Sequence, residues 1–311
     1  MLPILRWPEG KKFAFTVFDD TDNSTLENAP LVYGLLRDLG FRTTKSVWSA
    51  SALRDPSVVG GSTCEDPKYV AWVKQLQSEG FEIGLHNVTF HSSKREETRR
   101  GLDRFVELFG HEPRAMATHT SCQEGLYWGG ARVSGAHRVL YEVLNRGKQI
   151  GWFRGHIEGD EYFWGDLCKA RIDYVRNFTL PDMNTLKVCP YMPYYDPSRP
   201  YVKAWFASSE GARCKNYTDT ISEAAQDRLE EEGGACIMYT HFGKGFVKDG
   251  TLDARFVELT KRLAKKNGWF VPTSTLLDYI VEKRGIHTLT RRDRQRLERR
   301  WLIHKIRHGS T

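Results

Sequence analysis

Cysteine is scarce in this chain and never closely spaced: the six residues (64, 122, 168, 189, 214 and 236) lie far apart, with no C-x-x-C pair. That absence excludes a zinc ribbon and favours reduced thiols over a disulfide framework. No run approaches the roughly 20 apolar residues that a spanning helix needs. The opening MLPILRWPEGKKF has no basic leader ahead of an apolar stretch, so the expected location is cytoplasmic, at most peripheral to the inner membrane face. A serine elbow (G-x-S-x-G) and a Walker A loop are also missing, which removes two common hydrolase chemistries. There is no internal repeat and no low-complexity segment.

Most of the chain also lacks an excess of either charge. The 311 residues carry 46 Lys and Arg against 39 Asp and Glu, a net charge of +7. Residues 281–311 hold ten of the basic residues and three of the acidic ones, which leaves 36 of each sign in the body. The basic balance therefore belongs to the tail and says nothing about an active site. That tail, LTRRDRQRLERRWLIHKIRHGST, sets Thr290 three residues before Asp293, close to a capping box. Leu297, Trp301, Leu302 and Ile306 give it a partial apolar stripe. Such a helix packs on its own body with a solvated basic face, or touches an anionic surface. Specific nucleic-acid recognition is not expected from it.

What is present is ordinary globular material, 40% apolar and 12% aromatic, arranged in alternating strand and helix patterns. Strands are expected over 12–18, 41–48, 81–85, 235–239 and 269–271. Helices are expected over 26–39, 69–78, from Ser92 or Ser93 to Gly110, and over 220–231, 256–266 and 273–283. Alternation of this kind implies parallel strands joined by crossover helices, as a doubly wound sheet or a barrel. The stretch from 120 to 218 breaks the rhythm, being rich in Trp, Tyr, Gly and Pro. It reads as loops over a site rather than a separate domain.

Three clusters follow strands directly, where α/β proteins bind their ligands. Asp19, Asp20 and Asp22 follow KFAFTVF, and three carboxylates in four residues repel unless a cation or protons compensate. Asp22 also suits the N-cap of the next helix. His86 and His91 follow FEIG, and neutral imidazole is a common ligand for zinc and similar ions. His241 follows ACIMYT and could act as an acid or base. Asp20, His86 and His91 together offer a two-histidine, one-carboxylate set with open positions. Asp19 then remains free as a base and His241 as an acid.

FTVFDD, GLHNVTFH and MYTHFG, in this order and at these separations, resemble the polysaccharide deacetylase family, the NodB-homology domain. The resemblance implies a distorted (β/α) barrel over residues 8–280, with a long aromatic-rich loop insertion and a basic helical tail at 281–311. It implies metal-dependent hydrolysis of an N- or O-acyl group on a sugar, with zinc, cobalt, nickel or another divalent ion. In that family Asp19 would match the catalytic base, Asp20 the carboxylate ligand, His86 and His91 the histidine ligands, and His241 the acid. Thr21 stands where the family has glycine, and four residues rather than three separate the two histidines. The family's Arg-x-Pro motif is absent; AMATHTSCQEGLYWG occupies its place, with Thr118 or His119 near the expected arginine. His119 is thus a substitute orienter, a substrate contact or a further ligand. Glu124, Tyr127, Trp128, Trp164, Asp166, Arg176 and Asn177 are candidate contacts to a carbohydrate, which a cytoplasmic enzyme would meet nucleotide-linked, lipid-linked or as a small saccharide. Two alternatives stand beside this: an inactive sugar-binding barrel, and a haloacid-dehalogenase-type phosphatase using Asp20 and Asp22.

Overall fold

A computed structural model describes residues 5–51, 60–120 and 122–308. Seven parallel strands form the centre: β1 (Phe13–Asp19), β2 (Thr44–Val47), β3 (Glu82–Leu85), β4 (Ala115–Met116), β5 (Tyr174–Leu180), β6 (Ala204–Ser209) and β7 (Ala235–Thr240). They pair in chain order, and β7 closes the ring by pairing with both β6 and β1. The expected barrel is therefore the fold. An eighth short strand, β8 (Gly268–Phe270), adds to the outer side of β1 at its start.

Every residue of β1 and β7 is buried. Strands with one face on the barrel interior and the other under helices read as continuous apolar runs rather than alternating ones. The covering helices include α1 (Ala29–Asp38), α2 (Pro67–Ser78), α3 (Arg95–Phe109), α4 (Gly135–Leu144), α5 (Gly165–Arg171), α6 (Glu223–Glu232), α7 (Ala254–Ala264) and α8 (Thr273–Arg284). At the bottom of the barrel Phe41 packs 4.2 Å from Phe270, and Phe15 meets both edge-on. All six cysteines are buried and free.

One feature differs from expectation. The stretch 120–218 is not only loops, because it supplies barrel strands β5 and β6. β5 reads YVRNFTL, and Arg176, Asn177 and Thr179 break the apolar run that marks the other strands. Helix α8, expected over 273–283, ends at Arg284.

The tail forms α9 (Arg291–His308), entered through the expected reciprocal bonds: Asp293 N donates to Thr290 Oγ1, and Thr290 N donates to Asp293 Oδ2, both at 3.2 Å. Its inner face packs on the body. Trp301 stacks 5.5 Å from Tyr141 of α4 and 5.6 Å from Phe178 of β5. The fully buried Glu298 accepts from Ser134 Oγ and His137 Nδ1, each at 3.0 Å.

Candidate active site

Strand register sets the site. β1 and β7 end level, with Asp19 opposite Thr240, and β2, β3 and β4 align Val47, Leu85 and Met116. The residues just beyond these ends, among them Asp20, Trp48, His86 and His241, therefore share one rim, and Asp22 and His119 follow within three residues of their strands.

Asp22 stands at the centre. One carboxylate oxygen lies 3.0 Å from His86 Nε2, and the other lies 3.3 Å from His119 Nε2. His241 Nε2 approaches to 3.5 Å and Lys244 Nζ to 3.4 Å. Burial alone would raise the Asp22 pKa, but hydrogen bonds from His119 and His86 outweigh it and carry it well below the usual carboxylate range. The loops can close this tightly because residue 243 is glycine, where a Cβ would come within 2.3 Å of the Asn23 carbonyl carbon.

The donor set fits a divalent ion. His86 Nδ1 lies 3.1 Å from the Ala117 carbonyl, which fixes the ring with Nε2 facing Asp22. Asp22 Oδ2 is buried and has no well-formed hydrogen bond. Candidate ligand atoms of His86, His119 and Asp22 thus lie within 4.8 Å of one another, close enough for one divalent cation to take all three. The carboxylate–imidazole separations match neighbouring ligands on a tetrahedral ion, about 3.3 Å apart when each sits about 2.0 Å from zinc. Trp48, fully buried, stacks on His86 at 6.2 Å and meets His119 edge-on at 5.8 Å, forming one wall.

Asp20 is held differently. Arg176 of β5 grips it with two parallel bonds of 2.8 and 2.5 Å, and both side chains are buried. Burial would raise the Asp20 pKa, but the guanidinium first, and then His86, lowers it instead. One Asp20 oxygen still reaches to 3.8 Å from His86 Nε2, beside the cluster. The place of the Arg-x-Pro motif holds no arginine, and the arginine that grips this acid comes from β5. It was expected as a substrate contact.

Asp19, expected as the base, has no contact with the histidines. It is fully buried and accepts from Lys45 Nζ at 3.0 Å, Tyr33 Oη at 3.0 Å and the Phe242 backbone N–H at 2.8 Å. Lys45 Nζ uses its other two hydrogens on Thr21 and Ser24, each at 3.1 Å. Burial alone would lower the Lys45 pKa; Asp19 beside it outweighs that and keeps the ammonium charged.

His91, expected as a ligand, is not in the cluster. It lines a separate cleft beside α3 with Thr89, Glu97 and Arg100. His119 takes its place next to Asp22, held by Asn87, whose Oδ1 accepts from the His119 backbone N–H at 3.1 Å. Asn87 sits at φ 53°, a left-handed conformation that asparagine tolerates. Its Nδ2 donates to Glu124 at 2.8 Å, and Ser93 N donates to the other Glu124 oxygen at 3.0 Å. Burial pushes the Glu124 pKa up to about 7 against those donors. Glu124 therefore braces the His119 loop.

His241 donates from Nδ1 to the Ala212 carbonyl at 2.7 Å and turns Nε2 to the site. Burial lowers its pKa to about 4, so the ring rests neutral.

The remaining candidates are structural. Tyr127, Trp128 and Trp164 are buried; Trp164 Nε1 donates to the Glu124 carbonyl at 2.6 Å, and Trp128 lies under the Arg132 guanidinium at 3.4 Å. Asn177 donates to Tyr194 Oη, and Asp166 pairs with Arg95 on the outer surface. Asn87, Lys45 and Trp48 had no sequence signal. Asp22 had one, adjacent acids behind a strand, but that pattern does not by itself separate a ligand from an N-cap.

Among solved structures, the chain is similar to a candidate polysaccharide deacetylase from Mycobacterium smegmatis, with a TM-score of 0.53 at 14% identity over 94% of this chain and 99% of that one. The allantoinase Puue aligns with a TM-score of 0.49 at 12% identity, over 91% and 95% of the two chains. No family model and no curated protein sequence matches the chain. The Mycobacterium likeness concerns the fold: this chain has the NodB-type barrel of the polysaccharide deacetylases.

Proposed function

We infer that the protein is a metal-dependent hydrolase that removes an acyl group from a carbohydrate. The observation that carries this is the meeting of Asp22, His86 and His119 beside an arginine-clamped Asp20 at the carboxyl ends of the strands. Asp22, His86 and His119 would hold the ion. A divalent cation there polarises the acyl carbonyl and eases deprotonation of water.

The chain's own groups supply the rest. Arg176 takes one lone pair on each Asp20 oxygen, leaving the carboxylate oriented and ionised with a second lone pair to take the proton of an attacking water. His241, neutral at rest, takes a proton from solvent at Nε2 and delivers it to the departing nitrogen or oxygen while Nδ1 stays on Ala212. Asp20 then returns the proton of the attacking water to solvent. Trp48 keeps bulk water off the histidines. The carbohydrate assignment is supported by the order of the three motifs and by the description of the Mycobacterium protein. The aromatics expected to stack on sugar do not add to it, because they are buried.

Acetate release from N-acetylated chitooligosaccharides and O-acetylated xylo-oligosaccharides tests the reading. Release from at least one of them should vanish after dialysis against dipicolinate and return with zinc or cobalt. Release that survives complete metal removal, or none from either class with metal restored, would contradict it.

A further inference from the structure

Among the described residues, eleven large apolar side chains are exposed, and eight of them lie on α4 with the turn after it or on α9. Val139 and Val143 lie opposite Tyr141 on α4, and Leu140 and Leu144 are exposed on the flank between, with Val143 at 68% exposure. Ile150 and Trp152 follow in the next turn, at 63% and 43%. α4 touches α9 through Tyr141 and Trp301. On α9 the side opposite Trp301 carries Ile303 and Ile306. Arg299 and Arg307 fall within the same arc of about 120°, as do Arg296 and Arg300, which also donate to Tyr191 Oη and the Val188 carbonyl. Residues 135–157 add four basic side chains against one acidic.

We propose that this surface is a docking site for an anionic membrane, with the aliphatic and Trp152 side chains entering the interface and the arginines meeting lipid phosphates. Apolar patches of this extent on a folded protein mark an interaction site. The surrounding charge selects the partner. A second copy of the chain would bring one basic rim against another, and nucleic acid would leave the aliphatic side chains without a role. A lipid surface satisfies both halves, as amphipathic interfacial helices do. Among the described residues no helix is long and apolar enough to cross a membrane, so the contact is a surface one. The inference is independent of the reaction proposed above.

Co-sedimentation of the full chain with POPC vesicles containing about 30% POPG tests it, beside pure POPC vesicles. Binding to the anionic vesicles should exceed binding to POPC at least tenfold and weaken as salt rises. Val139→Glu with Val143→Glu, and separately Arg299→Glu with Arg307→Glu, should each lower it at least tenfold. All four side chains are exposed, so thermal melts of the variants should match the parent and metal content should be unchanged. No binding to anionic vesicles would overturn the proposal. So would a dimer in sedimentation analysis that the Val→Glu pair dissolves, or duplex DNA binding lost in the arginine variant and retained in the valine one.

Discussion

Asp20→Asn is expected to slow acyl release by about 10²- to 10⁴-fold, the range lost with a positioned base, while leaving the bound metal in place. The reasoning starts from the two carboxylates at the end of β1. Asp22 sits 3.0 and 3.3 Å from the two imidazoles, whereas Asp20 is turned to Arg176 and only borders the cluster at 3.8 Å. Asparagine keeps one acceptor for the guanidinium but cannot take a proton from water. The loss should fall on kcat more than on KM, and the acidic limb of the pH–rate profile should disappear with it. Arg176→Lys keeps the charge but forfeits the two-pronged grip, so its rate should lie between those of the parent and Asp20→Asn. Full turnover in Asp20→Asn would remove the base from Asp20.

Lys45→Met is expected to cost about 3 to 5 kcal/mol of stability, the usual penalty for leaving a buried charge without its partner. The site should suffer as well. Asp19, with its three donors, ties the end of β1 to α1, β2 and the turn after His241, while Lys45 holds the turn leading to Asp22 through Thr21 and Ser24. Loosening such a support typically weakens metal binding about 10- to 100-fold. Replacing both partners, Asp19→Leu with Lys45→Met, should recover much of the stability, because no charge is then stranded. Urea denaturation with metal titration reads both effects. A Lys45→Met cost below about 1 kcal/mol would mean that the pair carries little net charge.

The barrel was legible because buried strands such as FAFTVFD and ACIMYT announce themselves as apolar runs between helices. β5 was not, since Arg176 and Asn177 take the polar partners Asp20 and Tyr194 and interrupt its pattern. The position of the site at the strand ends was legible too, from Asp19–Asp22, His86 and His241. The division of labour among the acids was not. A strand end sends successive side chains to opposite sides, and which acid turns inward depends on Lys45, Tyr33 and Arg176, which lie 26, 14 and 156 residues from Asp19 or Asp20. His91 looked the better ligand because it is near His86 in sequence. His119 reaches Asp22 because β4 is only two residues long and the Asn87–Glu124 brace folds the following loop back. The tail's capping box was readable, being local, whereas the burial of Glu298 beneath it was not.

The account turns on which residues surround the ion, and metal stoichiometry measured by mass spectrometry addresses that directly. The parent protein and His91→Ala should each hold about one equivalent of zinc or a similar ion, while Asp22→Ala and His119→Ala should lose it. An ion lost in His91→Ala and kept in His119→Ala would contradict the site described above.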